Sequence, residues 1–320
     1  MHSPSAAALM TLMKLRGIGR RNALRIIETP LNEEDPEHYR EALMARADRA
    51  RVSKAELAEA WEKTQLELQK GSTAGIRALS FHDLDYPARL RAIPDPPAVL
   101  FVKGNEQALR LPKCVAIVGT REPTNYGETV ARRSGKVAVE GGFAVVSGLA
   151  HGCDTFAHEG CLAGNGVGIA VMAHGLDKVY PAASRELASR LLEQGGCLVS
   201  EYPIGMVPAR TAFADRDRIQ SGLSDGVLVI ETDVKGGTMN TVRSSRAQDR
   251  PVACVDHPAK YLAEDKTRGN QKMISDGWAT PILDGKALVE FLARLSERSK
   301  LIRPPSLPPD ERSTQGVLVF

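Results

Sequence analysis

The distribution of hydrophobic residues along the chain changes near residue 76. Before that point, apolar residues recur over 9–27 at the three- and four-residue spacing of an amphipathic helix. A second helical pattern covers 54–70, which is rich in helix-forming residues and follows a potential N-cap, Ser53. We therefore predict an all-helical segment that ends in a turn or linker at 71–75.

Beyond this segment, short runs of Val, Ile and Ala alternate with amphipathic stretches. The apolar runs are 114–118, 143–147, 167–172, 227–231 and 252–255. The helical stretches are 125–141, 184–195, 239–249 and a last one at 286–299. Continuous apolar strands that alternate with helices are typical of a parallel sheet covered on both faces.

This pattern predicts an α/β fold class. With right-handed crossovers, it is a Rossmann-like, doubly wound, mainly parallel sheet with a small N-terminal all-helical domain. Residues 1–75 form the helical domain, of the helix-hairpin-helix or SAM-like type, and 76–299 form the Rossmann-like domain. The proline-rich tail 300–320 is expected to be disordered or extended.

Composition and net charge exclude few classes of protein. The 320 residues are 42% hydrophobic and 25% charged, which is ordinary for a globular protein. A net charge of +3 neither demands nor excludes a polyanionic partner, so local charge clusters matter more than the total. No run is long enough for a signal peptide or a membrane span, and we expect a cytoplasmic protein without a membrane partner.

The five cysteines show no Cys-x-x-Cys spacing. Buried, reduced thiols are therefore favoured over a disulfide framework or a zinc site, and we expect no metal. The cysteines are Cys114, Cys153, Cys161, Cys197 and Cys254.

The candidate ligand-binding residues lie where the predicted strands end, because doubly wound folds bind ligands there. Four strands lead into glycine-bearing loops, at 119–121, 148–154, 173–175 and 232–241. Their backbone N–H groups and helix N-termini suit phosphate. Thr120, Ser147 and Thr238 add hydroxyl donors, and Arg121 adds a bidentate fork. The alternative is that these glycines only close tight strand-to-helix turns.

The segment 213–224 places Phe213 beside Arg216 and Arg218. Two arginines and an aromatic ring can hold a backbone phosphate while the ring stacks on a base. The alternative is a surface ion pair of an arginine with Asp215 or Asp217.

Two further features, a glycine turn near the N-terminus and two acids after strands, could each have a functional role. The Gly17–Gly19 turn, surrounded by cations from Lys14 to Arg25, suits a phosphate or is simply a corner between helices. Glu201 and Glu231 follow strands and could act as general bases, but no nucleophile–base pair accompanies them. We therefore predict that the chain is not an enzyme and needs no cofactor.

Longer stretches closely resemble the DNA-processing protein A family (DprA/Smf). They occur in order across about 86–280. They read YPARLRAIPDPPAVLFVKG (86–104), VAIVGTREPTNYG (115–127), VVSGLAHGCDTFAH (145–158), GLDKVYP (175–181), SEYPIGMVP (200–208), FADRDRIQSGLSDGVLVIE (213–231) and the Gly-Gly-Thr at 236–238.

The resemblance implies a dimeric protein that binds and protects incoming single-stranded DNA and loads the RecA recombinase in natural transformation and recombination. The implied partners are single-stranded DNA, RecA and a second copy of the chain. The alternative is a nucleotide-ligand sensor or nucleotide hydrolase on the same scaffold. The implied DNA or phosphate site comprises Gly119, Thr120, Arg121, Ser147, Gly148, Gly152, Asp154, Phe213, Arg216, Arg218, Gly237 and Thr238.

One departure from the family bears on this site. The usual Arg-Asn-Arg is Arg216-Asp217-Arg218 here, so a carboxylate stands near the expected phosphate position. Asp217 either opposes the DNA backbone or pairs with an arginine and organises it, and we favour the first.

Overall fold

The structure is a computed structural model that describes residues 3–28, 41, 43–45 and 53–302. The predicted tail lies, apart from its first residues, outside this part of the chain. In the described part, the labelled helices are α1 (Pro4–Met13), α2 (Arg20–Ile26), α3 (Lys54–Thr73), α4 (Ala88–Arg91), α5 (Asn125–Glu140), α6 (Cys153–Ala163), α7 (Arg185–Glu193), α8 (Arg210–Gly222), α9 (Thr238–Ala247), α10 (Arg268–Ser275) and α11 (Gly285–Ile302). Short 3₁₀ helices cover Glu106–Arg110, Ala182–Ser184, Ala259–Tyr261 and Asp265–Thr267.

Nine strands form one sheet. They are β1 (Ile76–Ser80), β2 (Val99–Gly104), β3 (Cys114–Val118), β4 (Ala144–Ser147), β5 (Gly168–Met172), β6 (Cys197–Ser200), β7 (Gly226–Val229), β8 (Val252–Val255) and β9 (Thr280–Ile282). Their order is β1-β2-β6-β5-β4-β3-β7-β8-β9. The β1–β2 and β2–β6 pairs are antiparallel and the others are parallel. The predicted mainly parallel, doubly wound α/β fold is confirmed.

Each of the five apolar runs forms a strand within one or two residues of its predicted ends. β3 and β8 have the predicted bounds. The prediction of a linker at 71–75 is wrong in its start, because α3 continues through Gly71 to Thr73. Ser53 occupies the N-cap position of α3, but its side chain makes no capping hydrogen bond.

Helices cover both faces of the sheet. On one face, α1, α3 and α7 pack over β1, β2, β5 and β6, and α5, α6 and α11 pack over β3, β4, β7 and β8. On the other face, α4, α8, α9 and α10 complete the core. Leu9 and Leu12 of α1 share one hydrophobic cluster with Phe101 and Met172 of the sheet.

The five cysteines are buried free thiols, as predicted. Burial raises the pKa of Cys161 and of Cys254 to about 12, so both remain protonated thiols at neutral pH. Within the described ranges, no helix is both long and apolar enough to cross a membrane.

Candidate functional site

The sheet has a topological switch point at β3. The chain proceeds from β3 through β4 and β5 to β6 on one side, and β7, β8 and β9 lie on the other side. Connections therefore diverge from the carboxyl ends of β3 and β7, and this is where doubly wound folds form their ligand crevice. A crevice of about 770 Å³ opens there.

Most of the residues that we predicted from the sequence to form a phosphate site line this crevice. Those that line it are Gly119, Thr120, Arg121, Asp154, Phe213, Arg216, Gly237 and Thr238. Gly148 lines a smaller adjoining pocket together with Arg121, Phe213 and Arg216. Three of the four predicted loops, those after β3, β4 and β7, thus line the crevice, and the fourth, after β5, lines the adjoining pocket.

Two glycines let these loops approach one another closely. A Cβ atom on Gly148 would lie 1.5 Å from Nη1 of Arg216, so only glycine leaves room for that guanidinium. Gly152 has a φ of +79°, and its Cβ would lie 2.5 Å from the carbonyl oxygen of Thr120. Both positions require glycine for packing as well as for any ligand.

Arg121 stands exposed at the mouth of the crevice. Its guanidinium lies 5.1 Å from the ring centroid of Phe213, a cation–π contact. Phe213 in turn approaches the half-exposed ring of Tyr180, with centroids 6.3 Å apart. Together these residues present a guanidinium group and aromatic rings at the mouth of the crevice.

Arg216 is buried and integrated into the wall. Its Nη1 donates to the carbonyl oxygen of Val171 at 3.1 Å and lies 4.0 Å from Oδ2 of Asp154. Its Nε lies 3.1 Å from Oδ1 of Asp217. An ion pair of an arginine with Asp217, the alternative to a phosphate site, is therefore present, but it is buried in the crevice wall and not at the surface.

The two acids beside Arg216 are themselves buried, which favours their neutral forms. Burial raises the pKa of Asp217 to about 6, although the nearby Arg216 opposes this shift. Burial also raises the pKa of Asp154, whose carboxylate accepts from the Gly148 N–H at 3.1 Å. Burial therefore opposes ionisation of both acids in the crevice wall.

Ser147 and Arg218 do not line the crevice. The fully buried Ser147 hydroxyl donates to the Ile117 carbonyl oxygen at 2.7 Å. Residues two apart in a helix are separated by about 200°, so α8 directs Arg218 away from Arg216. Arg218 Nη2 donates to both carboxylate oxygens of Glu201 at 2.7 Å. The expectation of two arginines beside Phe213 was wrong in this respect, because the segment is a helix.

The two candidate general bases hold the structure together. Glu231 is fully buried and accepts from the Thr124 N–H at 2.8 Å and from its hydroxyl at 2.6 Å, which fixes the start of α5. Nε2 of His257 lies 3.4 Å from the same carboxylate. Glu201 is engaged by Arg218.

Two of the cations around Gly17–Gly19 form ion pairs within the molecule, one with α3 and one with the segment after α4. Lys14 pairs with Glu67 at 2.7 Å, and Arg20 forms a bidentate pair with Asp95. Burial opposes ionisation of Asp95, but the hydrogen bond and charge of Arg20 outweigh it and lower the pKa of Asp95 to about 2. The contacts favour a helix corner over a phosphate site.

Some crevice residues were not proposed from the sequence. Lys235 and Asn240 lie in or beside the loop after β7, where the strand-end rule could have found them. Lys266 comes from the segment between β8 and α10, for which no pattern gave a signal.

A glycine-lined crevice at the switch point of a doubly wound sheet, with helix N-termini and a stacked arginine, defines a Rossmann-like protein suited to phosphate-bearing ligands. The model of the family "DNA recombination-mediator protein A" matches residues 77–293. The chain belongs to this family, which confirms the resemblance seen in its motifs.

Relatives and solved structures agree with this membership. Protein Smf of Escherichia coli is 42% identical over 173 residues, 54% of this chain and 46% of that protein. The DNA processing protein DprA of Bacillus subtilis is 35% identical over 65% of this chain and 69% of its own length. The chain thus matches less than half the length of the E. coli relative.

Two solved structures have the same fold. DNA processing protein A from Streptococcus pneumoniae superposes with a TM-score of 0.71 at 27% identity, covering 91% of this chain and 98% of that one. The protein from Helicobacter pylori, whose structure concerns its single-stranded-DNA-binding mode, gives a TM-score of 0.60 at 26% identity. That match covers 70% of this chain and 96% of the other.

Proposed function

We propose that this chain binds single-stranded DNA in the crevice at the carboxyl ends of β3 and β7. One observation carries the proposal: the exposed Arg121 stacks on Phe213 at the mouth of a glycine-lined crevice. Family membership and the H. pylori relative support it. In this proposal Arg121 and the loop N–H groups hold phosphates, and Phe213 offers a face to a base.

The charges of the crevice favour a few well-placed phosphate contacts over general electrostatic attraction. Its walls carry four cationic side chains and five acidic ones: Arg121, Arg216, Lys235 and Lys266 against Glu122, Asp154, Asp217, Asp233 and Asp265. Because the charges nearly balance, affinity must come from directed hydrogen bonds and stacking.

We further propose that the chain acts as a binding protein and not as an enzyme. The strand-end acids Glu201 and Glu231 are occupied by Arg218 and Thr124, which supports this role. Delivery of the bound strand to RecA, action as a homodimer and a place in the cytoplasm complete the proposal. The family resemblance supports these three points.

A competition experiment separates this function from a nucleotide sensor. Labelled oligo-dT is bound to the full chain, and unlabelled oligo-dT or a mononucleotide is added in excess. We expect displacement by oligo-dT only, since a mononucleotide offers a single phosphate–base contact. Equal displacement by the mononucleotide would contradict the proposal and favour a nucleotide-ligand site.

A further inference from the structure

The exposed side of α9 carries a row of side chains that the crevice does not use. Asn240 lines the crevice at the start of the helix, and Arg243 and Arg246 follow at three-residue intervals, both exposed. Residues three apart lie on one side of a helix. Nη2 of Arg243 donates to Oδ1 of Asn240 at 2.6 Å, so the row begins at the crevice itself.

The row ends in another pocket, of about 310 Å³, which lies beyond the C-terminal end of α9 and is separate from the crevice and its adjoining pocket. Arg246, Arg250 and Arg298 line it together with Trp278. The guanidinium of Arg246 lies 4.4 Å from the centroid of the Trp278 ring, a cation–π contact. Because Val252 at the start of β8 also lines it, this pocket lies at the sheet edge opposite the crevice.

The cations of this path outnumber the acids that line it. In the portion of the chain that the structure describes, Arg243, Arg246 and Arg250 form no salt bridge with a carboxylate. The acid in the pocket beyond α9, Asp249, is paired with Arg298. A surplus of cations in one row is the electrostatic signature of a polyanion path.

Arg250 is the partly buried cation of this pocket. Its Nη2 donates to the carbonyl oxygen of Arg89 at 3.3 Å, and its Nε is buried without a hydrogen-bond partner among the described residues. Burial lowers the pKa of the guanidinium. A phosphate in the pocket would favour the charged form of Arg250 and so oppose this effect of burial.

We propose that single-stranded DNA leaves the crevice along α9, with its phosphates passing Arg243 and Arg246 and ending in the Arg246–Arg250–Arg298 pocket. This inference rests on the proposed binding function. The ten residues of α9 span about 15 Å, so the path serves strands longer than the crevice alone can hold.

The inference predicts that α9 matters for long strands only. The double variant R243Q/R246Q removes two charges while glutamine keeps the helix propensity. R190Q is the control for loss of an exposed arginine elsewhere, because Arg190 lies on α7, on the opposite face of the sheet. Thermal unfolding of all three proteins confirms that they fold alike.

Affinities for an oligo-dT hexanucleotide and for a thirty-nucleotide oligo-dT are measured over a salt series. Each lost phosphate contact lowers the salt slope by about 0.7 on a single strand, so R243Q/R246Q should lose about 1.4 with the long strand. The hexanucleotide slope and both R190Q slopes should match wild type.

The outcomes separate this inference from the proposed function. If wild type binds both strands and R243Q/R246Q has the wild-type slope with the long one, the α9 path is wrong and the crevice function stands. An equal loss with both lengths would also contradict the path, because it would place the arginines in the crevice site. If wild type binds neither strand, the proposed function fails and the path fails with it.

Discussion

At the scale of single residues, Arg121 is the side chain most directly available to a phosphate. It is exposed and held in place by Phe213. We expect Arg121→Ala to weaken oligo-dT binding by about 1.5–3 kcal/mol, the scale of hydrogen bonds to charged groups. The salt slope should also fall by about 0.7. Fluorescence anisotropy across a salt series measures both, and an unchanged slope in a folded variant would remove Arg121 from the site.

Asp217 is the residue whose two possible roles the structure describes in most detail. It lines the crevice and also contacts Arg216, so both roles considered for it have a structural basis. Its pKa is raised from 3.8 to about 6, so ionisation costs stability as the pH rises through that interval. Above this pKa the carboxylate is ionised and opposes bound phosphates.

Binding of oligo-dT should therefore tighten as the pH falls from about 8 to about 5.5, because Asp217 becomes neutral. Asp217→Asn should bind more tightly than wild type at about pH 8 and should lose most of the pH dependence between those limits. Wild-type and variant titrations at two salt concentrations check this. Weaker binding by the variant throughout would show that the carboxylate mainly organises Arg216.

At the scale of elements, the crevice depends on how closely the loop after β4 approaches α8. Gly148→Ala would place a methyl group on the guanidinium of Arg216 and push α8 or the loop outward. We expect a loss of about 1–3 kcal/mol in unfolding free energy, typical of overpacking, together with weaker DNA binding.

Gly285 provides the control, since a Cβ there meets nothing within 4 Å. Gly285→Ala should keep both stability and oligo-dT affinity. Chemical denaturation and binding titrations of the two variants are the measurements. A Gly148→Ala protein with wild-type stability and affinity would show that the close approach is not needed.

Element by element, the sequence predicts most reliably where burial is uniform. The strands from β3 to β5, with β7 and β8, are continuous apolar runs, and their loops were found with them. Four strands, β1, β2, β6 and β9, are not among the predicted apolar runs, and nothing in the pattern signals the antiparallel pairing of β1 with β2 and of β2 with β6. Helix α8 was missed because Arg216, Asp217 and Arg218 are charged and yet buried, which hydrophobic periodicity cannot show.

At the scale of the whole molecule, the sheet topology determines that the loops after the parallel strands meet at one crevice. It does not determine whether each side chain of those loops and helices points into the crevice. Eight of the twelve proposed residues line one crevice: the strand-end rule accounts for six of them, and Phe213 and Arg216 come from the segment 213–224. The Ser147 hydroxyl bonds to the neighbouring strand, and Arg218 of α8 pairs with Glu201 after β6. Both outcomes depend on the direction of a side chain around the axis of its strand or helix. The division into a helical domain before residue 76 and a Rossmann-like domain after it remains a prediction.

The central claim, that this crevice holds single-stranded DNA, is tested most directly by comparing oligo-dT with a duplex of equal length over a salt series. A stacked arginine and loop N–H groups suit backbone phosphates and exposed base faces, which a duplex keeps stacked. We predict tighter binding of the single strand at every salt concentration, with little preference for base sequence. Equal affinity for duplex and single strand would contradict the account.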